Sequence, residues 1–349
     1  MTIPFVSIIV PVYGVEQYIA KCGRSLMEQT LQDVEYVFVD DCTPDNSMEI
    51  LQQVLGEYPD RKAQVKILHN ETNQGAAQSR RNGMTVCTGE YVICVDSDDY
   101  VAPDYCEKLY AKAAQEQADI VWCDFYKQQG EKWNVIKQLP AGKLSIDSEI
   151  KSLLLGRRQG ALWNHLIRRD LYYAITYFPT HNMAEDLTVL LQMYTAAHRL
   201  AYVAAPLYYY RYNEVSLSHA DGAERDGRVI RQMKDMEANA NLLERFFRER
   251  GLLQRFHSEL VFRKFFNKRW VLPALHSSHD CNLWRHCHAD INASFYLNRY
   301  ISLHDKLISL LVQSGLYPYV RRFFRHSSAG LGVRLLLVCD SVLMLISYN

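Results

Sequence analysis

Three carboxylates stand within four residues at Asp96-Ser97-Asp98-Asp99, and a second pair stands at Asp40-Asp41. Like charges this close repel one another unless a cation or a set of donors lies between them. Hard oxygen ligands suit Mg²⁺ or Mn²⁺, ions that usually keep waters and substrate phosphates in their shell. A solvated acidic turn or helix cap accounts for one such Asp more easily than for three, and the Asp40-Asp41 pair strengthens the metal reading. Tyr13 offers a ring that could stack on a planar base or simply cap the core edge. Arg80 and Arg81 follow Asn73-Gln74-Gly75; a guanidinium suits bidentate phosphate contact, although an exposed helix Arg is commoner. Glu185-Asp186 opens a stripe of Leu187, Leu190, Leu191 and Tyr194, where a carboxylate can be a helix cap or a general base held on a rigid element. There is no GxxxxGK[ST] and no GxGxxG after the first strand, which removes the phosphate-loop and dinucleotide fingerprints. The segment holding His276, His279, Cys281, His286, Cys287 and His288 matches no zinc-finger spacing, and a polar loop with a helix start explains it better.

The elements that must position these residues alternate. Phe5–Val12, Glu35–Val39, Val65–Leu68, Tyr91–Val95 and Ala118–Phe125 are apolar runs that predict buried strands. Helices are predicted between them at Val15–Gln29, Asp45–Tyr58 (with Asp45 or Asn46 as N-cap) and Gly75–Cys87, and another from near Pro103. Such alternation implies a parallel, doubly wound sheet with ligands beyond the carboxyl ends of its strands. Pro11–Tyr13, Asp40–Asp41 and Asp96–Asp99 all lie at such ends and should converge. After residue 130 the pattern loosens. Trp133–Gln138 reads as a hairpin strand, Asp147–Leu155 and Asp186–Ala197 as short helices, and Leu200–Val203 and Leu207–Tyr212 as edge strands. From about Ala223 the chain reads as helical and rich in Arg and Lys.

The 349 residues are 48% hydrophobic, which excludes disorder, collagen-like repeats and a coiled-coil rod. The formal net charge of zero hides a gradient, with −10 over residues 1–120, +3 over 121–220 and +7 over 221–349. Nine scattered cysteines without a CxxC pair read as free thiols in a reducing compartment. No basic region precedes the first apolar stretch, so no signal peptide is expected. Leu331–Ile346 is interrupted by Arg334 and Asp340 and is shorter than the ~20 residues of a spanning helix. A cytoplasmic protein is expected, with peripheral contact to the inner membrane as an option. The rear-half cations, Arg245, Arg248, Arg250, Arg255, Arg263, Lys264, Lys268 and Arg269 and then Arg321, Arg322 and Arg325, alternate with Phe, Leu and Trp. They fit an anionic membrane surface or the polar face of a helical bundle. No nucleic-acid motif accompanies them.

Taken together, these residues resemble the family 2 glycosyltransferases with a GT-A fold. The match runs through Ser7-Ile8-Ile9-Val10-Pro11-Val12-Tyr13, Gln29-Thr30, Val39-Asp40-Asp41, Asp45-Asn46-Ser47, Asn73-Gln74-Gly75, Ser79-Arg80, Gly83, Gly89-Glu90-Tyr91 and Asp96-Ser97-Asp98-Asp99. A looser block is similar to the bacterial polysaccharide branch: Trp163-Asn164-His165-Leu166, Glu185-Asp186-Leu187, Tyr208-Tyr209-Tyr210-Arg211 and Ser216-Leu217-Ser218. The resemblance implies a mostly parallel, Rossmann-like α/β domain over 1–220 and a helical, basic region over 221–349 for acceptor, membrane or homodimer contacts. It implies that Pro11, Tyr13 and Asp41 hold the nucleotide base, usually uracil, that Arg80 lies on the phosphate side and that Asp96 meets the ribose or sugar. Asp98 and Asp99 would hold Mn²⁺ or Mg²⁺, and Asp186 would act as base. Arg81 replaces the family's usual Asn, and His165 its usual Lys.

The expected activity is inverting, metal-dependent transfer of a hexose-type sugar from a nucleotide-sugar, UDP foremost, to a glycan or lipid-linked acceptor in cell-surface polysaccharide synthesis. Two alternatives compete. A metal-dependent phosphohydrolase usually carries its Asp-x-Asp on the first strand with Thr or Val after it, whereas here the motif follows the fourth strand and Asp99 comes next. A catalytically silent nucleotide-binding scaffold would have lost the base or the acidic cluster, and both are present.

Overall fold

Runs that are apolar on both faces form the strands at the centre of the sheet, as expected for parallel strands covered on two sides. They are β1 (Val6–Val12), β2 (Val34–Asp40) and β4 (Tyr91–Cys94), buried almost throughout, while β3 (Val65–His69), expected as a buried strand, lies at the sheet edge and is half-buried. The computed structural model describes residues 4–140, 142–211 and 225–326. It falls into two compact units, Met1–Ile150 with Gly160–Ser216, and Lys151–Gln159 with Leu217–Asn349.

In the first unit β3, β2, β1 and β4 lie side by side and parallel, with α1 (Ile19–Met27), α2 (Ser47–Gly56) and α3 (Ala76–Met84) in the connections. β5 (Tyr100–Val101), α4 (Tyr105–Glu116), β6 (Ile120–Gln129), β7 (Lys132–Ile136), α5 (Ile146–Leu154), β8 (His165–Arg168), α6 (Glu185–Ala196) and β9 (Leu200–Tyr210) follow. The full order is β3-β2-β1-β4-β8-β6-β9-β5, and β7 pairs β6 as the expected hairpin. The sheet is therefore mixed: β8 runs antiparallel to both β4 and β6.

Two expectations are corrected here. Leu200–Val203 and Leu207–Tyr212 are not separate edge strands. Both runs, as far as Tyr210, belong to β9, which lies between β6 and β5, and a bulge in β9 around Pro206, opposite Cys123–Phe125 of β6, absorbs the irregularity. The predicted first helix is also shorter, because the chain turns through Val15–Tyr18 before α1 begins.

α2 shows how the site loops are tied. Asn46 is its N-cap residue but makes no side-chain cap bond. Asp45 does that work, accepting from the Ser47 N–H at 3.2 Å and from the Glu16 N–H at 3.0 Å, so the loops after β1 and β2 are laced together.

The second unit is helical: α7 (Arg225–Glu249), α8 (Leu253–Trp270), α9 (Asp280–His286), α10 (Leu303–Gln313) and α11 (Tyr317–His326). Phe265, Trp284 and Phe295 centre its core, with Cys281 and Cys287 buried among them. No group of three metal-ligating side chains occurs among the described residues, and none of their helices is long and apolar enough to cross a membrane. Ser216-Leu217-Ser218 and Leu331–Ile346 lie outside the described residues.

Candidate active site

The carboxyl ends of β1, β2 and β4 meet in one place, as the strand order requires. Pro11 is half-buried in β1, and Tyr13 just beyond it is 46% exposed, a free ring at the mouth of the site. Asp41 is turned inward. Its N–H donates to the Val12 carbonyl, and its carboxylate accepts from Asn70 Nδ2 and from the Gln74 and Gly75 N–H groups, each at 2.8 Å. It thereby shapes the loop leading into α3. Gly75 is required there, because its φ is +83° and a Cβ would stand 2.8 Å from Asn182 Oδ1.

Asp96, Asp98 and Asp99 follow β4 with divergent orientations. Asp96 and Asp98 are half-buried, while Asp99 is 1% exposed. Asp99 accepts from the Tyr208 hydroxyl at 2.8 Å and from the Arg211 N–H at 2.7 Å. Burial, then the charges of Asp98 and Asp96, push its carboxyl well above the usual range. Each of its oxygens thus accepts one bond from a protein donor. Asp98, half-buried like Asp96, is a hard oxygen donor of the kind that suits a divalent cation.

The centre of the site is Arg80 on α3. Its Nη2 donates to Asp96 Oδ1 at 2.7 Å and its Nη1 to Asp186 Oδ1 at 2.9 Å, with Glu185 Oε1 at 3.4 Å. The guanidinium is buried and committed to three carboxylates, whereas the expectation was a group presented to phosphate. Burial opposes its charge, but Asp186 and Asp96 hold it protonated and raise its pKa well above the ordinary value.

Asp186 opens α6 beside Glu185, where the helix dipole favours negative charge. Its second oxygen accepts from the Leu162 N–H at 3.1 Å, so neither oxygen can swing freely. Burial raises its pKa, and the Arg80 charge offsets part of that. Burial and the neighbouring Asp186 push Glu185 up to about 8. A carboxyl raised on folding contributes stability that is present below its unfolded pKa and lost as pH rises through the folded value. Glu185→Gln is therefore expected to match the parent at pH 5 and to melt at higher temperature at pH 9; thermal melts at the two pH values measure the difference.

Several contributors were not singled out for a role in the sequence. Tyr208 both donates to Asp99 and accepts from the Asp96 N–H at 3.2 Å, and its ring stacks on Trp163 at 4.3 Å. Arg211 extends toward Tyr18 and Tyr100 with ring centroids at 5.3 and 5.0 Å, and its Nε and Nη2 are buried without a hydrogen-bond partner among the described residues. The Tyr208-Tyr209-Tyr210-Arg211 run was the only signal for either. Arg81 lies over the Phe178 ring at 4.5 Å, at a small cavity that Arg80, Glu185 and Asp186 also line. His165 is fully buried, with Nδ1 2.7 Å from the Ala161 carbonyl, which removes it from any phosphate.

Residues 7–192 match the model of glycosyl transferase family 2, more than half of the chain. The chain belongs to that family. It is 35% identical over 223 residues to the uncharacterized glycosyltransferase EpsJ of Bacillus subtilis (strain 168), covering 62% of this chain and 63% of that one. The chain thus spans under two thirds of that relative. The structure of S. aureus TarS residues 1–349 in complex with UDP-GlcNAc has a TM-score of 0.56 at 20% identity, covering 89% of this chain and 92% of that one. A mannosyltransferase from Pyrobaculum calidifontis in complex with GDP-Man and Mn²⁺ has a TM-score of 0.53 at 15% identity, covering 100% of this chain and 89% of that one. The fold of this family 2 member is accordingly GT-A, a curled α/β sheet followed by helices.

Proposed function

We propose that this family 2 protein transfers a sugar from a nucleoside-diphosphate donor, UDP foremost, to a hydroxyl of a glycan or lipid-linked acceptor in cell-surface polysaccharide synthesis. The single observation carrying this is the Arg80 bridge, which fixes the strand-end Asp96 and the helix-start Asp186 on one guanidinium. A donor-side carboxylate and a base are thereby held at constant spacing.

In this reading residues 1–220 form the transferase domain and residues 221–349 its contact region. Pro11 and Tyr13 flank the base, Asp41 holds the loop that borders it, and Asp96 meets the ribose or sugar. Asp98, with the donor diphosphate, would hold Mn²⁺ or Mg²⁺, which when bound supplies charge neutralisation for the departing diphosphate. Asp99 supports that turn from below through Tyr208 and Arg211. Asp186 accepts the proton of the acceptor hydroxyl as its oxygen attacks the anomeric carbon from the face opposite the diphosphate, inverting the centre. Burial raises the basicity of Asp186, which improves it as a proton acceptor at neutral pH. The same reading puts the protein in the cytoplasm, with peripheral contact to the cytoplasmic face of the inner membrane as an option.

The TarS and mannosyltransferase structures hold different nucleotides, so a panel decides the donor. Thermal shifts with UDP-, GDP- and dTDP-sugars, each with Mn²⁺, should single out one nucleotide, because a ligand at 100 times its Kd adds about 2.7 kcal/mol of stability. Asp98→Ala should lose the Mn²⁺-dependent part of that shift. No shift with any donor, or phosphate release without sugar transfer, overturns the reading.

A further inference from the structure

The cations that make the rear of the chain basic are largely used inside it. On α7 and α8, Arg245 pairs with Glu249, Arg248 with Glu244, and Lys264 with both Glu244 and Asp290. Lys268 is fully buried and donates to the Trp284 and Cys287 carbonyls, and Arg263 donates to those of Leu153 and Leu154. Charge counted along these helices does not make a free basic face.

The unusual surface is on α10. Leu303, Leu307 and Leu310 are 73%, 53% and 50% exposed. Their spacing of four and then three residues puts them on one side of the helix, while Ile308 and Val312 face the core. Leu316 and Tyr319 at the start of α11 are also exposed. Lys306 sits three residues from Leu303 and four from Leu310, on the flank of the same stripe. Arg322 shares a face of α11 with Tyr319, and Arg299, exposed just before α10, donates to the Tyr300 hydroxyl at 2.8 Å and stands 3.9 Å from Glu259. The acid in this stretch, Asp305, accepts from the Ser302 hydroxyl at 2.7 Å and pairs with Arg269 at 3.3 Å.

We infer that α10 and the first turns of α11 dock this protein on an anionic lipid bilayer, with the leucines in the headgroup–acyl boundary and Lys306, Arg299 and Arg322 on lipid phosphates. The chemistry is that of an interfacial amphipathic helix: apolar insertion supplemented by roughly 1 kcal/mol per cation near an anionic surface. A second copy fits less well, because α10 and the first turns of α11 give strips of roughly 16 Å and 9 Å by 10 Å, well below the ~800 Å² per partner of a stable dimer. A bilayer needs no such area, since depth of insertion and charge carry the binding. This inference gives the contact region of the proposed transferase a partner but is measured without donor or metal, so either can fail while the other stands.

The test is co-sedimentation of the full-length chain with vesicles of phosphatidylcholine alone and of equimolar phosphatidylcholine and phosphatidylglycerol. The parent should bind the anionic vesicles and weaken with salt. The double variant Leu307→Ser with Leu310→Ser should bind them roughly tenfold or more weakly with an unchanged melting temperature, since both side chains already face water. Arg299→Ala with Lys306→Ala should lose the preference for anionic over neutral vesicles. Undiminished binding by the leucine variant overturns the inference, as does equal binding to both vesicles. So does loss of a parent dimer in the leucine variant, which would make a second copy the occupant. Binding that survives the leucine changes but is lost on removal of residues 327–349 assigns it to that segment instead.

Discussion

Asp186→Asn is expected to leave donor binding intact and to lower turnover by about 10²–10⁴-fold, the usual contribution of a positioned base. The substitution keeps the shape of the side chain and the Leu162 N–H can still donate to the amide oxygen, while the proton-accepting charge and the pair with Arg80 are lost. The loss should fall on kcat rather than on the donor thermal shift. The parent enzyme's pH profile supplies a second check. Asp186 must be deprotonated to act, and burial raises its pKa above the ordinary carboxylate value. The acid limb of kcat/KM should therefore lie above the range of a free Asp, with activity rising as pH increases through it. Near-parental transfer by Asp186→Asn, measured with the donor selected by thermal shift, would remove Asp186 from the mechanism.

Arg80→Gln is expected to have the largest effect on stability. Asp96, Glu185 and Asp186 share that one guanidinium, and its loss leaves buried negative charges facing one another. Breaking a buried pair from one side costs about 3–5 kcal/mol, because the remaining charge is uncompensated. Part of that cost should be relieved by protonation, so the variant should recover stability as pH falls. Arg80→Lys separates the two roles of this residue. An ammonium restores the positive charge but is a single point that cannot span carboxylates on β4 and α6 as a planar fork does. Chemical denaturation should show partial rescue by Lys, while turnover stays low because the spacing of Asp96 and Asp186 is no longer fixed. Full recovery of turnover by Arg80→Lys would make Arg80 a charge only.

The sequence and the structure divide these findings along physical lines. Apolar β-branched runs alternating with helices point to a parallel sheet, so β1 to β4 were legible as strands, and with them the meeting of Pro11, Asp41 and Asp96 at one end, while their order came from the structure. β8 was not, because four residues including His165 and Arg168 carry no strand period of their own; β4 and β6 on either side make it a strand. β9 looked broken because Pro206 and its neighbours interrupt the pattern, and only their bulge against β6 shows that pairing continues through them.

Side-chain direction was the other matter that no spacing could disclose. By itself the sequence determined the strand framework and the acidic clusters at its carboxyl ends, since these rest on residue type and local period, and its ordered motifs carried the resemblance to family 2. The tertiary structure decided that Arg80 reaches Asp96 sixteen residues away and Asp186 one hundred and six away. It also turned Asp41 and Asp99 inward and spent many of the rear cations within their own helical unit, leaving leucines on α10 exposed. A charge finds its partner by distance in space, and chain separation holds no record of that distance until the strands and helices have packed.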